Sequence, residues 1–248
     1  MFSKSTNYQS LKQKIRCRFT KYYLHQNILP ALISCVFIPV LQLISYLVCT
    51  NIQYVLYING YHSFSVALPI DKTIPYLPQF WIIYFIVSEL FWISSFLIIY
   101  FLLDERQYYT YCWFCIICIV TISIVWICFP SYDYQQQIDA NNMRIQSFCT
   151  FPSGHCFTLT ASLFAVFNKI KGKRYSKWIA RAYFPAMTAL CLSSIFLTKQ
   201  HYLLDLPITV SIMLCCYVIS TKFINCNKFL NDFFIKLVNC FWPFSSNN

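Results

Sequence analysis

Apolar runs of about twenty residues, separated by short polar and charged stretches, set the pattern along the whole 248-residue chain. A helix rises about 1.5 Å per residue, so roughly 20 apolar residues cross the hydrocarbon core of a bilayer. The pattern predicts membrane-crossing helices near residues 28–49, 81–103, 111–129, 153–169, 179–198 and 203–221. The apolar part of the fourth is short, which predicts a helix that begins in the preceding loop and ends where Lys169 snorkels to the far surface. The expected fold class is all-α, a polytopic membrane protein built as a six-transmembrane-helix bundle. Its organisation is a basic segment at 1–26, one membrane domain at 27–223 and a tail at 224–248. In the tail, Phe229, Leu230, Phe233, Phe234, Leu237, Val238 and Phe241 recur at helical spacing opposite Lys228, Asp232 and Lys236, the pattern of an amphipathic helix lying on a membrane surface.

Composition agrees with that pattern, because 58% of residues are hydrophobic and only 11% charged. The net charge of +11 would suggest a nucleic-acid partner in a soluble protein. Here its distribution assigns it to the membrane. Lys4, Lys12, Lys14, Arg16, Arg18 and Lys21 precede the first run; Lys169, Lys171, Lys173, Arg174, Lys177 and Arg181 surround the fourth loop. Arg106 lies in the second loop and Lys222, Lys228 and Lys236 in the tail, whereas the alternate loops hold only Lys72, Arg144 and Lys199. The positive-inside rule then predicts cytoplasmic termini and odd-numbered loops on the outer side. The partners expected are membrane lipids, with no nucleic acid, and the first apolar run reads as an uncleaved signal anchor. Cys112, Cys115 and Cys118 share a helix face, but no histidine or carboxylate joins them in a zinc pattern, so no metal or other cofactor is expected. Glu89 falls within the second run, where an ionised carboxylate is costly, and is expected to face the bundle and hold a proton or a partner.

Candidate chemistry sits in two outer loops. Pro152-Ser153-Gly154-His155 uses one of three glycines and one of four histidines at the mouth of an apolar run. A fixed string of four residues arises by accident in about one chain in a thousand of this length at average usage. Pro152 suits a first helical turn, Ser153 can cap it, and the free N–H groups of Ser153, Gly154 and His155 would bind phosphate oxygens. The second piece is His201-Tyr202-Leu203-Leu204-Asp205, in which His201 and Asp205 share a helix face so that the carboxylate can fix the imidazole tautomer. The predicted topology brings both histidines to the same side of the membrane. One can attack phosphorus while the other protonates the departing alkoxide.

These residues resemble the type-2 phosphatidic acid phosphatase superfamily, whose second motif is P-S-G-H and whose third ends in H-x-x-x-D. The resemblance covers roughly residues 71–210 and implies a six-helix membrane fold, a phosphohistidine at His201, and proton donation by His155. It is similar to a divergent branch that includes inositol phosphorylceramide synthase-like proteins, through Ile74-Pro75-Tyr76-Leu77-Pro78, Tyr84 and Phe129-Pro130-Ser131. Two features of the superfamily pattern are absent. No K-x-x-x-x-x-x-R-P motif follows the third run, and Ile195 stands where the third motif has arginine. The substitutes expected for these phosphate clamps are Arg144 and Lys199, the cations nearest in sequence on the predicted outer side.

The reading is a metal-independent lipid phosphate phosphatase acting on a phosphomonoester or pyrophosphate lipid. His201, His155 and Asp205 would be catalytic, and Ser153, Gly154, Arg144 and Lys199 would bind phosphate. The alternatives are a phospholipid head-group transferase with the same phosphoenzyme, and a catalytically inactive membrane homologue. With only Gly60, Gly154 and Gly172 the chain builds neither a Walker loop nor a dinucleotide fingerprint, and it has no G-x-S-x-G elbow.

Overall fold

The computed structural model of the protein describes residues 29–61, 67–133, 147–148, 151–166 and 174–226. Helix α1 runs from Leu29 to Ile58. A helical run from Pro78 to Leu102 opens with a short 3-10 turn, Pro78–Phe80, passes through a π-helical segment, Ile83–Val87, and continues as α2, Ser88–Leu102. Then come α3 (Glu105–Cys128), α4 (Gly154–Val166), α5 (Arg174–Leu197) and α6 (Asp205–Cys226). The described strands are two residues each, β1 (Tyr132–Asp133) and β2 (Ser147–Phe148), paired antiparallel at the base of the loop that leads to α4.

Five of the helices are long and apolar enough to cross a membrane: Ala31–Ile58, Pro78–Leu102, Gln107–Cys128, Ala180–Leu197 and Asp205–Lys222. The fourth predicted run, 153–169, corresponds to α4, described over 13 residues, about 20 Å, to Val166; Lys169, expected to snorkel at its far end, lies outside the described residues. Helix α4 packs against α2, α3, α5 and α6, and ten of its residues are buried. The first run was expected to end at residue 49, but α1 continues through Asn51 and Gln53. Asn51 returns its side-chain N–H to the Leu47 carbonyl, while Gln53, buried, donates to the carbonyl of Trp126. The polar residues that suggested a loop thus find partners within and beside the helix. The basic segment 1–26 and the tail from 227 onward lie outside the described residues.

Aromatic packing joins α4 to its neighbours. Trp92 and Phe96 of α2 meet edge to face with ring centroids 4.8 Å apart, and Trp92 meets Phe157 of α4 at 5.6 Å. Polar side chains add specific ties: Thr188 of α5 donates to the Leu159 carbonyl at 3.0 Å, and the Thr160 hydroxyl lies 3.0 Å from Met213 Sδ of α6. In an apolar medium such bonds satisfy groups that water cannot reach. Cys112, Cys115 and Cys118 are buried in α3 and free, filling the core as small apolar side chains.

Candidate active site

Helix α4 begins at Gly154, and its first turn is fixed from three directions. Ser153 is the cap, its Oγ accepting the N–H of Cys156 at 3.0 Å. Trp126, near the end of α3, donates its indole N–H to the Pro152 carbonyl at 2.9 Å. Ser131 Oγ accepts the N–H of Phe151 at 3.0 Å. Pro152, expected in the first turn, lies before it, because Ser153 takes the capping position and the Pro152 carbonyl is committed to Trp126. Gly154 is needed for space: a Cβ there would stand 3.2 and 3.3 Å from the Trp126 ring.

His201 lies in the turn between α5 and α6, and Asp205 is the first residue of α6. Their i, i+4 spacing places His201 Nδ1 3.1 Å from Asp205 Oδ2. The same oxygen accepts the N–H of Tyr202 at 3.1 Å. Asp205 is fully buried and His201 only 8% exposed, so the pair is held in a low-dielectric setting where the hydrogen bond is strong. With Nδ1–H donated to the carboxylate, the unprotonated ring nitrogen is Nε2. The imidazoles of His155 and His201 approach with ring centroids 5.9 Å apart, tilted by 54°. That spacing is of the order required by one phosphoryl group with reacting atoms about 3–3.5 Å away on either side.

Two further residues converge on His155, and the pattern in the sequence conceals one of them. Tyr84 Oη lies 3.3 Å from His155 Nδ1, and Glu89 Oε1 lies 3.6 Å from His155 Nε2. In a regular α-helix residues five apart point about 140° away from each other, at 100° per residue. Here Ile83–Val87 is π-helical, and i to i+5 bonding brings positions five apart nearly over one another. The wide turn is reinforced by Ser88, whose hydroxyl donates to the Ile83 carbonyl at 2.9 Å. Tyr84 and Glu89 consequently both reach His155. Glu89, expected to face the bundle and hold a proton or a partner, has His155 as its partner but leaves half of its side chain exposed.

The remaining predicted residues are placed differently. Lys199 does belong to the turn that carries His201, but its Nζ donates to the Asp71 carbonyl at 2.6 Å. Arg144 lies outside the described residues, and Lys72 is exposed on a 3-10 turn, Pro69–Thr73. Among the described residues no three His, Cys, Asp or Glu side chains form a group able to hold a metal ion. His155 is partly buried, its side chain 31% exposed; its partners Tyr84 and Glu89 are 6 and 11 residues past Pro78, so it lies roughly 9–16 Å along that helical run from its start.

No protein-family model, curated protein or solved structure matches the chain.

Proposed function

We propose that this chain is a membrane-embedded lipid phosphate phosphatase that works through a phosphohistidine on His201. The observation carrying the proposal is the pairing of the buried His201–Asp205 dyad with a second imidazole, His155, one phosphoryl group away. The topology that goes with it has six crossings, α4 included, cytoplasmic termini, and both histidines on the non-cytoplasmic side. Its support is the concentration of lysine and arginine in the alternate loops.

In this reading, Nε2 of His201 attacks phosphorus and the bond from phosphorus to the lipid oxygen breaks. Asp205 keeps the Nδ1 proton in place and stabilises the positive charge that develops on the ring. The departing oxygen takes the proton held by His155, which Tyr84 orients through Nδ1 and which Glu89 is close enough to replenish. Backbone N–H groups at the start of α4 face the charge on the phosphoryl oxygens. Water then attacks the phosphohistidine, gives its proton to His155, and releases inorganic phosphate with His201 restored.

A head-group transferase is the second reading, in which a lipid alcohol replaces water at the last step. The low exposure of His201 favours it, since it limits the approach of bulk water. One experiment addresses both readings. Purified protein in nanodiscs is incubated with a panel of ³²P-labelled lipid phosphates, with and without diacylglycerol or ceramide. Free phosphate supports the phosphatase, a new labelled lipid supports the transferase, and neither product with any substrate refutes the proposal. Acid-labile, alkali-stable label on the wild type that is missing from His201→Ala identifies the intermediate.

A further inference from the structure

Asp71 is a charged residue that the proposed chemistry does not use, yet it is buried at 7% exposure in an outer loop whose neighbours are exposed. Its three oxygen acceptors all face backbone or side-chain donors. Oδ2 accepts the N–H of Leu68 at 2.7 Å, closing its own turn. Oδ1 accepts the N–H of Leu203 at 2.9 Å, and the main-chain carbonyl accepts Lys199 Nζ at 2.6 Å. The last two bonds reach across more than 120 residues to the turn that carries His201. A third tie runs alongside, from the N–H of Leu77 to the carbonyl of Leu197 at 2.9 Å.

That turn needs external support. Helix α5 ends with Lys199 at φ 58°, the left-handed conformation that costs a residue with a Cβ about 1–2 kcal/mol. The N–H of Gln200 returns to Ile195 and that of Lys199 to Phe196, the paired bonds of a Schellman end. Beyond it the chain must turn so that His201 meets Asp205, and the next two peptide N–H groups go to two different buried carboxylates. Tyr202 N–H binds Asp205, and Leu203 N–H binds Asp71. Asp205 on α6 therefore holds the imidazole and the first of these peptides, and Asp71, in a distant loop, holds the second.

We infer that Asp71 is the positioning residue of His201: its carboxylate locks the outer loop 67–77 onto the α5–α6 turn and sets where the imidazole stands relative to His155. The catalytic consequence rests on the proposed role of His201, while the mechanical one does not. Removing the carboxylate frees the Leu203 N–H and leaves the strained Lys199 turn with one fewer tie, so the turn relaxes. A nucleophile misplaced by about 1 Å loses up to roughly 100-fold in rate, with little change in substrate binding.

The test compares full-length wild type, Asp71→Ala and Asp71→Asn in nanodiscs by hydrogen–deuterium exchange and by turnover. Asn keeps one acceptor oxygen and presents an amide to the other N–H, so it should fall between the other two. Expected for Ala is at least tenfold faster exchange of the 201–205 amides with 155–160 unchanged, and a kcat lowered by roughly 10- to 100-fold at constant KM. Unchanged exchange at 201–205 overturns the inference. So does faster exchange with kcat intact, or a rise in KM alone, which would mark a lipid-contact loop. Should Ala loosen every helix, the Asn variant decides by the same local criterion. If the wild type turns over no lipid phosphate, the proposed function falls while the exchange result still judges Asp71.

Discussion

Replacing Gly154 by alanine isolates how tightly the start of α4 is held. The added Cβ would stand 3.2 and 3.3 Å from Cη2 and Cζ2 of Trp126, closer than ordinary carbon contacts, with Gln42 Nε2 behind at 3.7 Å. Trp126 has little room to yield, being 3% exposed and tied by its N–H to Pro152. Two opposing effects decide the sign. Alanine is better than glycine in a helix interior by up to about 1 kcal/mol, and by less in a first turn. Overpacking a closed site costs about 1–3 kcal/mol. The clash wins, and Gly154→Ala should destabilise the protein by about 1–2 kcal/mol. A displacement of a few tenths of an ångström in the turn bearing His155 should lower kcat roughly 3- to 10-fold, scaled from about 100-fold per ångström. Reversible unfolding in mixed micelles and turnover of a labelled lipid phosphate measure the two effects. The decisive control is Trp126→Phe, which removes the clashing ring atoms together with the Pro152 bond. Combined with Gly154→Ala it should cost less than the sum of the single changes by about 1 kcal/mol, whereas additivity within about 0.3–0.5 kcal/mol, or a stabilised Gly154→Ala, would refute the packing argument.

Four other outcomes are expected. His201→Ala should turn over nothing and take no label, while His155→Ala should slow lipid turnover by roughly 100- to 10,000-fold yet still be labelled from an aryl phosphate whose leaving group needs no proton; full activity in both would put the site elsewhere. Glu89→Gln, which keeps the shape but cannot exchange the proton, should reduce kcat with lipid phosphates and spare labelling from the aryl phosphate, and equal losses with both would deny it a part in proton transfer. Activity should survive a chelator, since no step uses a metal; loss reversed by one divalent ion would defeat the mechanism. A cysteine introduced as Thr150→Cys should react with impermeant reagents from the outer side of sealed vesicles, and reaction only from the inner side would invert the topology.

Much of the helical framework could be read from hydropathy because a bilayer imposes one length and one polarity on whatever crosses it. Predicted runs and observed helices therefore differ chiefly at their ends, where local bonds decide: α1 outruns its apolar stretch because Gln53 has Trp126 to bind. The fourth run was expected to start in the preceding loop, and α4 starts at Gly154, where Ser153 caps it and Trp126 binds the Pro152 carbonyl, a tertiary tie with no local signal. In the site, the His201–Asp205 contact was readable because i, i+4 is a helix spacing and the pair begins one. Tyr84 and Glu89 could not be joined that way: at α-helical periodicity they diverge, and only the π segment aligns them on His155. Lys199 had been expected to face phosphate by charge and proximity. Its engagement with Asp71 depends on two loops 128 positions apart, beyond the reach of any spacing rule.

A site whose histidine meets its partners six residues or more inside a helical run also sorts what leaves. The two imidazoles stand together where α4 begins, and the loop fastened by Asp71 and Lys199 is tied to the turn that carries one of them. For a lipid phosphate cleaved there, the two products would have opposite preferences: the hydrocarbon-bearing alcohol has only to slide sideways into the leaflet, whereas the phosphate anion must pass the loop to reach water. Departure of the anion, rather than of the lipid, would then set the pace once chemistry is fast.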